Sequence, residues 1–129
     1  MSEPSTKRHP FLDDLDPEVR LVSSVLRRPV QGRDVVLKIV KAGAAQYASQ
    51  TPRSLDTLGE RTYFEYDVQL TGGQHASGLV SISRNAEGRV TALHIAFSPL
   101  DAVLSIAAGV RERLASECDP GLFLQGESA

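Results

Sequence analysis

The sequence has little of what marks disulfide-stapled, secreted or membrane proteins. It contains one cysteine, Cys118, in 129 residues, which excludes an internal disulfide framework and a cysteine-built zinc site. No apolar run approaches the about 18 residues of a membrane-spanning helix. The first ten residues, MSEPSTKRHP, lack the apolar core of a secretory signal. We therefore expect a cytoplasmic protein with no membrane partner.

The charge balance offers no surplus of either sign. Fourteen Lys and Arg face sixteen Asp and Glu, a formal net charge of -2, so the basic stripe of a nucleic-acid-binding protein is not expected. The hydrophobic fraction of 41 % and the charged fraction of 23 % are typical of a soluble globular protein. A single domain of this length buries about two thirds of its surface, so no metal or disulfide staple is needed for stability. No cofactor is expected.

The chain is predicted to form one domain between two tails. Residues 1–8 are polar and predict a disordered tail, and residues 9–114 form the domain. Residues 115–129 are a C-terminal tail with one apolar run, Leu122-Phe123-Leu124. This second tail either packs on the domain or is mobile.

The first half of the domain alternates helix and strand signals. A short helix opens at Pro10 and ends before Pro17, and a strand follows from Val19 to Leu26. The next helix begins near Asp34, a capping residue, and carries a buried stripe that ends at Tyr47.

The second half predicts an antiparallel meander followed by a helix. Gly72-Gly73 and residues 85–88 are turn signals. Ser98 followed by Pro99 predicts the start of a helix, with Ser98 as the capping residue and Pro99 at the first helical position. The predicted strands are a short segment at 55–59 and three longer ones at Arg61–Leu70, His75–Arg84 and Arg89–Phe97. The order of elements indicates the α+β class.

Three segments, HPFLDDL, RRPVQGRDVVLKIV and GLVSISRNAEGRVTALHIAFSPLDAVLSIA, closely resemble the SnoaL-like branch of the nuclear transport factor 2-like superfamily. That superfamily includes ketosteroid isomerases, limonene epoxide hydrolase and polyketide cyclases. The resemblance implies a cone-shaped barrel, in which a curved antiparallel sheet packs against helices around one apolar pocket. It also implies a homodimer through the outer face of the sheet. The family's long first helix is shortened here.

By this resemblance, two acidic positions of ketosteroid isomerases are occupied by other residues. Ser23 stands where the general-base aspartate is found, and Val80 where the protonated, oxyanion-binding aspartate is found. Serine and valine perform neither role at neutral pH, so steroid isomerase activity is not expected. A metal is not expected either, because the three histidines are scattered without ligand spacing.

The register of the hairpin around Gly72-Gly73 decides which side chains enter the pocket. A two-residue turn, the preferred reading, pairs Glu65 with Val80. A three-residue turn shifts the pairing by one and reverses every side chain, so that Phe64 and Tyr66 line the pocket and the acids are solvated. The preferred register places three polar residues on the cavity side, namely Tyr63, Glu65 and Asp67.

In the preferred register, Glu65 is the candidate catalytic residue, because an apolar pocket raises a carboxyl pKa toward the range useful for proton transfer. The alternative is that Glu65 pairs with a basic side chain or lies at the rim. The predicted ligand-binding pocket consists of Leu21, Ser23, Val36, Val40, Tyr63, Glu65, Val80, Ile82, Leu93, Ile95 and Phe97.

Three functions remain open at this point. The first is non-catalytic binding of a small hydrophobic molecule, which the residues at positions 23 and 80 favour. The second is an acid–base cyclase or isomerase that uses Glu65 on a polyketide-like or terpenoid substrate. The third is a protein-interaction module that uses the outer sheet face. The scaffold alone does not choose among them, since one fold hosts many functions.

Overall fold

A computed structural model describes residues 11–124 of the chain. The predicted tail at residues 1–8 lies outside the described residues. Two short 3-10 helices, at Leu12–Asp14 and Pro120–Leu122, flank the main elements. Those elements are β1 (Leu15–Ser23), β2 (Val30–Gln31), α1 (Arg33–Ala44), β3 (Tyr47–Leu58), β4 (Arg61–Leu70), β5 (His75–Arg84), β6 (Val90–Ser98) and α2 (Leu100–Arg113).

The strands form one curved, open sheet in the order β2-β1-β6-β5-β4-β3. β1 runs parallel to β6, and the other neighbours are antiparallel. Both helices contact the sheet, α1 chiefly through β1 and α2 through β6, and they also contact each other. We call the sheet face that meets the helices the inner face and the opposite one the outer face. The predicted α+β cone is confirmed.

The beginning of the domain differs from the prediction. A 3-10 helix replaces the expected short helix, and β1 starts at Leu15 rather than at Val19. Leu15, Val19, Leu21 and Ser23 are the buried positions of β1, so burial follows the alternation of a strand. Pro17 is tolerated because the pairing of β1 with β6 is irregular between Leu15 and Arg20.

β3 is longer than the sequence predicts. The expected short strand at 55–59 is the end of a strand from Tyr47 to Leu58, which also absorbs the segment expected to close the helix. Beyond Tyr47 every residue of β3 is exposed. The sequence of β3 therefore has no alternation of apolar and polar residues from which the strand could be predicted. β4 alone supplies its backbone partners, and β3 is an edge strand where Pro52 costs no ladder hydrogen bond.

The preferred hairpin register is wrong, and the alternative register is observed. Glu65 pairs with Leu79 and Phe64 with Val80. The turn has three residues, because the Leu70 N–H donates to the Gln74 carbonyl at 2.8 Å. Gly73 lies within that turn with φ 93°, a left-handed conformation that favours glycine. Phe64 therefore faces inward and Glu65 faces outward.

A close approach between Tyr66 and Gly78 accompanies this register. The two residues are directly paired, and a Cβ at position 78 would lie 2.5 Å from Tyr66 Cζ. The aromatic ring thus lies directly over the backbone of Gly78. A side chain at position 78 would prevent this contact, which explains a glycine inside the strand. The other register would place this ring on the outer face.

The helix α2 starts one residue later than predicted. Pro99 occupies the cap position and makes no side-chain capping hydrogen bond, so the predicted capping by Ser98 is wrong. At the other end of the helix layer, the buried Gln46 amide donates to the Ala42 and Ile106 carbonyls at 3.3 and 3.2 Å. Gln46 thereby links α1 to α2.

The last described residues pack on the domain. The Arg27 N–H donates to the Leu122 carbonyl at 2.9 Å, and the Leu124 N–H donates to the Val25 carbonyl at 2.8 Å. Phe123 is fully buried. The segment adds a short backbone pairing beyond the end of β1, so the hydrophobic core extends past residue 114.

Because the Tyr66 ring lies so close to Gly78, one methyl group added at position 78 should destabilise the fold. Gly78→Ala should lower the free energy of unfolding by about 1–3 kcal/mol, because the added methyl group would overlap the Tyr66 ring and force it to shift. Gly72→Ala, in open space within the turn, is the matched control and should change little. Urea denaturation measures both. An unchanged stability of Gly78→Ala would contradict the packing, and the cost should shrink in a Tyr66→Ala background.

Candidate functional site

A cavity of about 70 Å³ lies between the inner face of the sheet and the two helices. Ala44 and Gln50, which are exposed, mark its mouth. The helices contribute Ile39, Val40, Gly43, Ile106 and Val110 to its wall. The remaining lining comes from Phe11, Leu21, Ser23, Val25, Tyr47, Phe64, Tyr66, Ile95 and Phe97. The wall is predominantly apolar.

The structure divides the predicted pocket residues into three groups. Five line the cavity: Leu21, Ser23, Val40, Ile95 and Phe97. Four are buried but pack in the core away from the cavity: Val36, Val80, Ile82 and Leu93. The other two, Tyr63 and Glu65, lie on the outer face. Whether the cavity binds a ligand stays a prediction.

The placement of Glu65 removes the reason for considering it catalytic. Its side chain is exposed, and its carboxylate accepts a hydrogen bond from Ser54 Oγ at 3.3 Å. Asp67, two residues on, lies 3.6 Å from the Arg53 guanidinium and accepts from Ser77 Oγ at 3.1 Å. A raised carboxyl pKa suited to catalysis would require a carboxylate within an apolar pocket. The observed register places both acids on the opposite face of the sheet.

The main polar feature of the cavity is a pair of tyrosines that the sequence analysis did not bring together. The hydroxyls of Tyr47 and Tyr66 are 3.1 Å apart, and their ring centroids are 6.2 Å apart. Phe64 stacks on Tyr66 with centroids 5.1 Å apart. The sequence predicted Tyr47 on a helix, and the preferred hairpin register placed Tyr66 on the outer face. The informative signal was Gly78, because a glycine within a strand indicates a close approach.

Burial keeps both phenols protonated. It raises the pKa of Tyr47 far above its ordinary value of 10, and it raises the pKa of Tyr66, although the hydrogen bond to Tyr47 opposes that rise. One hydroxyl donates to the other, so one O–H proton of the pair is left for a cavity occupant. The pair can hold an acceptor oxygen, but it has no ionised oxygen to serve as a base at neutral pH.

The serines at the end of β1 have structural partners. Ser23 Oγ accepts the Val25 N–H at 3.2 Å, and Ser24 Oγ accepts the Phe97 N–H at 2.9 Å. These bonds satisfy backbone donors where β1 leaves the sheet. Within residues 11–124, the cavity lining contains no carboxylate, histidine, lysine or arginine. The two phenols are thus its only titratable groups.

Membrane-spanning helices and metal-binding clusters are both absent from the same part of the chain. Within residues 11–124, no helix combines the length and the hydropathy that crossing a bilayer requires. The same residues contain no group of three or more His, Cys, Asp or Glu side chains that could hold a metal ion.

The raised pKa values predict a loss of stability in alkali. The unfolded state ionises its phenols above about pH 10, whereas Tyr47 and Tyr66 resist ionisation in the folded state. The free energy of unfolding should therefore fall above that pH, by up to about 1.4 kcal/mol per pH unit for each such phenol. Tyr47→Phe should make this fall shallower in urea denaturation at several pH values. Tyr63→Phe is the control, and an equal change of slope in both variants would contradict the assignment.

None of the protein-family models matches this sequence, and neither does any curated protein. Solved structures do match the fold. An uncharacterised bacterial protein with a cystatin-like fold from Silicibacter pomeroyi is 18 % identical, with a TM-score of 0.76 over 82 % of this chain and 74 % of that one. A steroid delta-isomerase from Pseudomonas aeruginosa is 19 % identical, with a TM-score of 0.75 over 81 % and 77 % of the two chains.

A protein from Jannaschia sp. CCS1, whose name proposes a SnoaL-like polyketide cyclase, is 13 % identical. Its TM-score is 0.58 over 74 % of this chain and 75 % of that one. Such low identities show the fold and carry no activity with them. The structure therefore has the cystatin-like, nuclear transport factor 2-like fold that the sequence resemblance implied.

Proposed function

We propose that this protein is a non-catalytic, cytoplasmic binding protein for a small, uncharged and mainly apolar molecule. The observation that carries the proposal is the chemistry of the cavity, where an apolar wall surrounds one neutral hydroxyl pair, Tyr47–Tyr66. Apolar walls with a few placed polar groups are typical of small-molecule sites. A charged ligand would lose its hydration without an ionic partner inside.

The size of the cavity limits the part of the ligand that enters it. Its about 70 Å³ is well below the about 300 Å³ at the lower end for drug-sized ligands. The buried part of the ligand is therefore a compact group of a few heavy atoms, such as a short or branched chain end. Any larger remainder extends through the mouth beside Ala44 and Gln50.

The tyrosine pair selects for an acceptor oxygen on that buried group. The free phenolic proton of the pair has no other use in a lining that is otherwise apolar, apart from Ser23 and Gln50. A carbonyl, ether or hydroxyl oxygen would satisfy it, and a hydrocarbon would leave it without a partner. Leaving a buried donor unpaired costs more than an ordinary hydrogen bond gains.

Acid–base catalysis, the alternative cyclase or isomerase function, has less support. Glu65 lies on the outer face, and neutral phenols are poor bases. The names of the structural neighbours do not add support for catalysis, because those proteins are similar to this chain only in fold.

A ligand pair tests the proposal directly. Acetone and its hydrocarbon analogue isobutene have nearly the same shape and are small enough for a cavity of about 70 Å³, and only the ketone carries an acceptor oxygen. Amide NMR titration should show both entering the cavity, with the ketone bound about fivefold more tightly, the equivalent of one net hydrogen bond of about 1 kcal/mol.

Variants locate that preference. Tyr47→Phe and Tyr66→Phe should reduce the ketone preference, whereas the outer-face controls Tyr63→Phe and Glu65→Gln should keep it. Binding without shifts at the cavity-lining residues, or a preference unchanged in both cavity variants, would refute the proposed role of the pair.

Homodimerisation through the outer face is part of the same proposal. That face presents Leu79, which is 44 % exposed, and Val22, which is 36 % exposed, beside the half-buried Tyr63. Exposed apolar residues grouped on one face are typical of protein contacts. A protein-interaction module remains the alternative, in which another protein competes for this face.

Light scattering after gel filtration tests the dimer. The wild-type chain should have twice the monomer mass, and Leu79→Arg should yield monomers, because it places a charge in the contact. Leu100→Arg on α2, where Leu100 is 68 % exposed, is the matched control and should stay dimeric. A monomeric wild-type protein at high concentration would overturn this part of the proposal.

A further inference from the structure

Two arginines on the outer face flank a floor of small side chains. Four residues form one row across adjacent strands. In order they are Arg20 of β1, Ala92 of β6, Ser83 of β5 and Arg61 of β4. The next row along the strands includes His94 and its neighbour Ser81. Residues that are level on adjacent strands point to the same face. The arginines thus stand on either side of alanine and serine.

This arrangement forms a groove of about 170 Å³. We call it the basic groove, and it is lined by Arg20, Val22, Arg61, Ser81, Ser83, Ala92, Leu93 and His94. It exists because the residues between the arginines are too small to fill the space above the strands.

The charge of the basic groove is uncompensated. No aspartate or glutamate is among its lining residues, and within residues 11–124 neither Arg20 nor Arg61 forms an ion pair. Four other basic residues of this part of the chain do pair with carboxylates, namely Arg28, Lys38, Arg53 and Arg84. The basic groove therefore concentrates unpaired positive charge on a chain whose formal net charge is -2.

An apolar depression continues from the basic groove. A second groove shares Arg61, Ser81 and His94 with it and adds three residues, namely Tyr63, Leu79 and Ala96. An anionic group between the arginines would leave an attached ring or short chain over these residues. The guanidinium donors suit phosphate and carboxylate oxygens, and the serine hydroxyls and the His94 ring can add hydrogen bonds.

We propose that the basic groove is a second ligand site, which binds a phosphate or carboxylate group attached to a small apolar body. The site lies on the opposite face of the sheet from the cavity and does not depend on the cavity's function. Its apolar extension includes Tyr63 and Leu79, which the proposed dimer contact also uses, so the ligand and a second copy of the chain compete for this face. Its two flanking arginines and its apolar extension distinguish it from general attraction to a basic surface.

Amide NMR titration of the full chain tests the site with four probes. Phenyl phosphate and phenylacetate carry an anion and a ring, inorganic phosphate lacks the ring, and phenol lacks the anion. Both aryl anions should shift the amides of Ser81, Ser83 and His94 and bind more tightly than phosphate or phenol. The tighter of the two shows which anion the site prefers.

Three variants separate the site from surface charge. Arg20→Gln and Arg61→Gln should each weaken phenyl phosphate binding about fivefold, the size of one exposed ionic contact, while their amide spectra show an intact fold. Arg113→Gln, on the exposed end of α2, is the matched control and should bind as the wild type does.

Two results would overturn the proposal. Equal weakening in Arg113→Gln, or an absence of shifts in the groove, would mean non-specific attraction. A change of molecular mass in Arg20→Gln or Arg61→Gln with no groove shifts from any probe would assign the arginines to a contact between copies of the chain.

Discussion

The fit of the Tyr66 ring over the backbone of Gly78 is the contact on which the rest of the site depends. It is possible in only one pairing of β4 with β5, in which these two residues are level and both face inward. Because side chains alternate along a strand, this one contact assigns a face to every residue of the hairpin. Phe64 turns toward the helices and Glu65 toward solvent.

That assignment determines the chemistry of the cavity. With the acids outside, the inner face holds a neutral hydroxyl pair in an apolar wall, and burial keeps both hydroxyls protonated. Such a pair can donate a hydrogen bond to an acceptor oxygen, and it lacks an ionised group for moving a proton. The geometry therefore supports the proposed binding function more than catalysis, although a steroid delta-isomerase is similar in fold over 81 % of this chain.

The outer face receives the charged side chains of the same strands. Glu65 and Asp67 lie toward one end of β4, where Ser54 and Arg53 respectively partner them. Arg61 lies toward the other end, where it is paired with Ser83 of β5 and, within residues 11–124, forms no ion pair. Alternation thus gives the two faces different polar chemistry, which is why the two proposed sites differ so strongly.

The α+β class, the three meander strands and the helix after Ser98 were all predictable from local signals, because turn residues and periodic burial are local properties. The edge strand β3 was not, since its exposed side chains carry no periodicity and its partner β4 alone holds it in place. The hairpin register also required the tertiary structure. Two-residue and three-residue turns both fit the Gly72-Gly73 sequence, and the choice depends on packing between Tyr66, Gly78 and Tyr47, which are distant along the chain and adjacent only after folding.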